Sequence, residues 1–148
     1  MNLIHKIHSF EVNNVFFQEK KKNIIMDGTF TKLLYSMPNI SILGLFFDFT
    51  INGKIINNKL YAFNVNENNN TINELVNIEK KLLKMYTTIY NNDKRVVSIL
   101  KNSLFQGLLK VFTKREIVKK KYVLKISGIW ETSSEIGITY KLLECTHL

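Results

Sequence analysis

One stretch of this chain repeats its apolar residues at a clear helical spacing. Leu75, Ile78, Leu82, Met85, Tyr86 and Ile89 fall on one side, with Glu79, Lys80, Lys81 and Lys84 on the other. Thr71 and Glu74 have the spacing of a capping box at its start, and Asn91-Asn92-Asp93 follows its end near Tyr90. A parallel α/β sheet needs a crossover helix for each parallel connection, so a single helix argues against that architecture. The runs on either side are rich in β-branched and aromatic residues and read as strands.

Before the helix, Ser9 to Phe17 predicts an entry strand, and Lys20, Lys21 and Lys22 a polar break. Ile24 to Ser36 predicts a strand bent near Asp27-Gly28, and Met37-Pro38-Asn39 a turn. Ile40 to Ile51 predicts a second strand. Asn52-Gly53 then predicts a type I′ hairpin returning along Lys54 to Val65, with an irregularity at Asn57-Asn58. After the helix, Val96 to Leu104 reads as a short helical turn ending before Gly107, and Leu108 to Phe112 as a strand. Thr113 to Lys120 reads as a basic loop. Tyr122 to Trp130 and Ile138 to Glu144 form a hairpin around Glu131 to Gly137. This order predicts a mainly β domain with one helix: a five-stranded Greek-key barrel, the oligonucleotide-binding (OB) fold, with an extra N-terminal strand. A length of 148 residues suits one domain over 1–148, with 1–23 as an N-terminal embellishment and 24–145 as the barrel.

The charge is as unevenly placed as the helix. Ten basic residues lie between Lys94 and Lys125, opposed there by Glu116 alone, so this segment carries the whole net charge of +9. A basic excess confined to a segment that also holds Phe105, Phe112 and Tyr122 points to a polyanionic partner.

Signals for other classes are weak. There is no Gly-rich phosphate loop, and the single Cys145 leaves no intramolecular disulfide and suits a reducing compartment. His5 and His8 lack an accompanying carboxylate or Cys, and Cys145 and His147 lack a third partner. No metal site, cofactor or catalytic centre is expected. Met1 to Phe10 holds no continuous apolar run, and Ile40 to Phe49 is too short to span a bilayer, so neither signal peptide nor membrane span is expected.

Strand alternation sorts the binding candidates. Lys59, Tyr61 and Phe63 share a face if their strand is regular. Lys110 and Phe112 share one opposite Leu109 and Val111. Lys125 opposes Leu124 and Ile126, Lys141 opposes Tyr140 and Leu142, and Lys32 opposes Leu33 and Tyr35. Phe30, Phe47 and Phe49 are assigned to the interior. Trp130 falls on the core face of its strand unless a bulge at Gly128 turns it outward. A basic groove with aromatic faces suits single-stranded nucleic acid, because cations neutralise phosphates and every base has a stackable face. An RNA-binding module, or a virion or structural subunit with a basic face for an acidic protein, uses the same features.

Tyr122-Val-Leu-Lys-Ile-Ser-Gly-Ile-Trp-Glu131, followed by Gly137-Ile-Thr-Tyr-Lys141, resembles the closing hairpin of a known family. These are the small single-stranded DNA-binding proteins of large DNA viruses and of virus-like cytoplasmic linear DNA plasmids of yeast. Phe30-Thr-Lys-Leu-Leu-Tyr-Ser36 resembles their first strand, and Ser98-Ile-Leu-Lys-Asn-Ser-Leu104 leading into Leu109-Lys-Val-Phe112 resembles a further segment, so the likeness covers roughly residues 26 to 145. It implies an OB barrel that coats single-stranded DNA during replication in the cytoplasm, with DNA favoured over RNA. Replication proteins are implied as further partners, and edge strands permit a homo-oligomer. From spacing and resemblance together the candidate site is Lys32, Tyr35, Lys59, Tyr61, Lys110, Phe112, Lys114, Arg115, Lys125, Trp130, Tyr140 and Lys141.

Overall fold

The structure, a computed structural model, describes residues 4–25, 27–57, 59–112 and 121–145. It is mainly β with one long helix. The strands are β1 (Val15–Phe17), β2 (Lys21–Lys22), β3 (Thr29–Met37), β4 (Ile40–Leu43), β5 (Leu45–Phe49), β6 (Gly53–Ile56), β7 (Leu60–Phe63), β8 (Arg95–Val96), β9 (Leu108–Phe112), β10 (Lys121–Glu131) and β11 (Glu135–Cys145). The helices are α1 (Asn69–Ile89) and the short α2 (Ile99–Gln106). The expected count of five strands plus one therefore gives way to eleven among the described residues, because several predicted strands break into two.

The centre of the sheet is β10, which pairs with β11 along almost its whole length. Its other edge is shared: Tyr122–Ile126 pair with β5, and Gly128–Glu131 with β3. In turn β3 is divided, its first half lying between β10 and β2 and its second between β1 and β4. One strand serving two sets of neighbours has to bend. On the far side β11 pairs in parallel with β9, and β9 continues through β7 to β6. Leu124, Ile126, Ile129, Ile136, Ile138 and Leu142 turn their side chains to the core, which Ile72, Leu75, Leu82, Leu83 and Tyr86 of α1 help to close.

Three local expectations change. The hairpin at Asn52-Gly53 does not form. Gly44, at φ +88°, breaks the Ile40–Ile51 run, so β4 pairs with β3 and β5 with β10. Pairing with β10 buries Leu45, Phe47 and Phe49 together, and His5 takes the other edge of β5, where a returning strand would have paired. The hairpin instead joins β6 to β7, with Asn57 at φ +53° in its turn. The capping box at Thr71 and Glu74 is not used either. A 3-10 turn over Asn66–Asn68, in which Asn64 Oδ1 accepts the Glu67 N–H at 3.0 Å, starts the helix early and leaves Thr71 inside its first turn. The entry strand shortens to β1, and β3 begins only at Thr29, after the exposed Ile24 and Ile25.

Candidate nucleic-acid interface

The register of β10 against β11 slips once. Leu124 and Ile126 are buried, the register with β11 slips between Ile126 and Gly128, and beyond the slip Ile129 and Glu131 take the inward side. One extra residue, Ser127, thus turns Trp130 outward. The half-buried indole donates its Nε1–H to the Ile138 carbonyl at 3.1 Å and lies against Gly137, its partner on β11. A Cβ at Gly137 would come within 2.7 Å of the indole Cε2. Directly across from Trp130 on β3 stands Phe30, whose ring covers Gly128 so closely that a Cβ there would meet its Cζ at 2.6 Å. The interior assignment holds for Phe47 and Phe49 but not for Phe30. On β3 the inward positions belong to Thr31 and Leu33, so Phe30 and Lys32 point out.

The cations join the same face. Lys32 is exposed opposite Gly128, and Lys21 stands opposite Phe30. With Gln18, Glu19 and Phe30 they line a cleft of about 390 Å³. Further along β10, Lys125 is flanked by Lys141 of β11 and by Phe46 of β5, and its Nζ lies 5.4 Å from the Phe46 ring centre. On β9, the buried Val111 stands beside the buried Leu142. The exposed Lys110 and Lys141, one residue earlier on each strand, therefore continue the row across β9, β11 and β10. Lys21, Phe30 and Phe46 are members that the sequence reading missed. For Phe46 the signal was present, since Leu45, Phe47 and Phe49 alternate around it.

Other candidates lie elsewhere. Tyr35 is buried, and its hydroxyl accepts from the Glu11 N–H and the Asn14 amide, both at 3.3 Å. Tyr61 is buried and donates to the Ile51 carbonyl at 2.6 Å, and burial pushes its phenol up. Tyr140 points to the helix side and donates to Ser103 Oγ of α2 at 2.8 Å. Each tyrosine satisfies its hydroxyl internally and so packs like a core aromatic. Lys59 is exposed in the turn before β7, off the strand that carries Tyr61. Phe112 ends β9 opposite Leu143, but its side chain, and Lys114 and Arg115 entirely, lie outside the described residues.

Two members of the basic segment are committed to structure. The Glu131 carboxylate, 7% exposed, pairs with Lys94 at 3.0 Å and Lys20 at 3.2 Å. It also accepts from Tyr86 at 2.9 Å, Thr29 at 3.3 Å and Asn92. Burial alone would push this carboxyl up; hydrogen bonds from Lys94, Tyr86 and Lys20 overcome it and hold the group at about 2. Arg95 pairs with Glu135. Among the described residues no three His, Cys, Asp or Glu side chains gather as metal ligands would, and no helix is long and apolar enough to cross a membrane. No protein-family model, curated protein or solved structure matches the chain.

Proposed function

We propose that the outward face of β3, β10, β11 and β9 binds single-stranded nucleic acid without reading its sequence. The observation that carries this reading is the convergence of two residue types on one sheet face. Phe30 and Trp130 stand side by side, and Lys32, Lys125, Lys141 and Lys110 extend from them across neighbouring strands. Trp130 and Lys125 are five positions apart, about 15 Å of strand, enough for a few nucleotides. Bases would stack on the rings, and the ammonium groups would neutralise the phosphates that follow.

The finer reading is an OB barrel of a replication protein that coats single-stranded DNA in the cytoplasm. A strand shared between two sets of neighbours, a long helix and a closing hairpin support the barrel. The preference for DNA over RNA and the replicative role rest on the resemblance of the β3 and β10–β11 sequences to viral and linear-plasmid single-strand binders.

The test is fluorescence anisotropy with labelled oligo-dT over a salt series. Micromolar or tighter binding is expected, exceeding that for duplex, with a log–log salt slope of about −0.7 for each phosphate neutralised. Indifference to single strands would sink the proposal. Competition with a matched RNA oligomer decides the sugar.

A further inference from the structure

A groove of about 440 Å³ lies between α1 and the stretch that joins β8 to α2. Val76, Leu83 and Val96 give it an apolar floor, and Lys80, Lys84 and Lys101 stand around it. Val96 leaves 45% of its surface open, unusual for a valine on a strand. Among the described residues of this lining, Glu79 is the one acid. Its two oxygens accept the backbone N–H groups of Leu100 and Lys101, each at 2.9 Å, so its charge is directed to the start of α2. Lys80 and Lys84, one helical turn apart, enter no ion pair among the described residues.

The groove belongs to the opposite side of the molecule from the sheet face. Tyr140 reaches Ser103 of α2 from one face of β11, whereas Lys141 and Thr139 occupy the other. A ligand of the sheet face therefore leaves the helical side open.

We infer that this groove docks a short acidic peptide segment of a partner protein. Apolar side chains of the segment seat on Val76, Leu83 and Val96, and its carboxylates meet Lys80, Lys84 and Lys101. Charge complementarity selects this occupant: a cationic rim over an aliphatic floor disfavours basic or neutral segments. It is a poor nucleic-acid site, because none of the described residues in its lining is an aromatic ring for a base to stack on.

The probe is a short fluorescein-labelled peptide alternating Asp or Glu with Leu or Phe, titrated into the full chain. Saturable binding is expected, lost when Asn and Gln replace the acids. Lys80→Glu/Lys84→Glu should weaken it about tenfold or more, since like charges now face each other. Lys125→Glu/Lys141→Glu should leave it within about twofold. Circular dichroism confirms that both variants fold, as all four side chains lie at the surface or half-buried. No saturable binding, retention in the first variant, loss in the second, or displacement by oligo-dT each overturns the inference.

Discussion

Lys125 and Lys141 face each other directly across β10 and β11. Like charges in this position oppose sheet formation, by up to about 1 kcal/mol. Lys125 recovers part of that through the Phe46 ring, a contact worth about 0.5–1 kcal/mol at an exposed site. Lys125→Gln removes both effects, so its melting temperature should stay close to that of the parent. Its oligo-dT affinity should fall, and the log–log salt slope should become shallower by about one. A variant that melts normally and binds with an unchanged slope would remove Lys125 from the interface.

Trp130 is the only tryptophan, so its fluorescence reports on one place. Stacking of a base on the indole should quench it. Trp130→Ala should then cost about 1–3 kcal/mol of oligo-dT affinity. Gly137→Ala tests the geometry itself: the added methyl overlaps the ring, and displacing it should cost about 1–3 kcal/mol of stability. The same change should blunt quenching more than it weakens the salt-dependent part of binding. If Gly137→Ala quenches like the parent, the indole is not the stacking surface.

These two positions also show where the sequence was legible. Alternation alone placed Lys32, Lys110, Lys125 and Lys141 outward, because aliphatic or aromatic residues flank the last three and Leu33 and Tyr35 take the side opposite Lys32. Trp130 needed one further fact, the bulge at Ser127, and Gly128 was its visible cue. Tyr35, Tyr61 and Tyr140 were illegible for a different reason. Whether a tyrosine packs or binds depends on a distant acceptor or donor, here Asn14, Ile51 and Ser103, and spacing along one strand does not reveal it. The role of Glu131 is hidden likewise, since its partners come from positions 20, 29, 86, 92 and 94.

Glu131 makes acid stability a local question. Its carboxyl titrates at about 2 in the folded chain against 4.5 as the ordinary value. The unfolded chain therefore binds a proton first as pH falls, and the stabilisation, on the order of 3 kcal/mol, is present above pH 4.5 and drains away down to about 2. Burial moves Glu79 the opposite way, so its ionisation works against folding as pH rises above 4.5. Glu131→Gln should lower stability at neutral pH by about 2–3 kcal/mol, because Lys94 and Lys20 keep their charges near a neutral amide. It should also flatten the stability profile between pH 4.5 and 2. Urea midpoints measured across that range check both; parallel profiles for parent and variant would refute the assignment.

The choice of hairpin can be tested with two asparagines. A type I′ turn at Asn52-Gly53 would need positive φ at both residues, and an alanine at Asn52 would then be strained. In the structure the positive φ belongs to Asn57, at +53°, between β6 and β7, whereas Asn52 is exposed and in ordinary backbone. Asn57→Ala should therefore cost about 1 kcal/mol, the penalty for a Cβ in the left-handed region. Asn52→Ala should change stability by less than about 0.5 kcal/mol, as for other surface sites. Thermal melts of the two variants side by side give the answer. The reverse order would mean that β5 turns back on β6 along the edge that His5 now occupies.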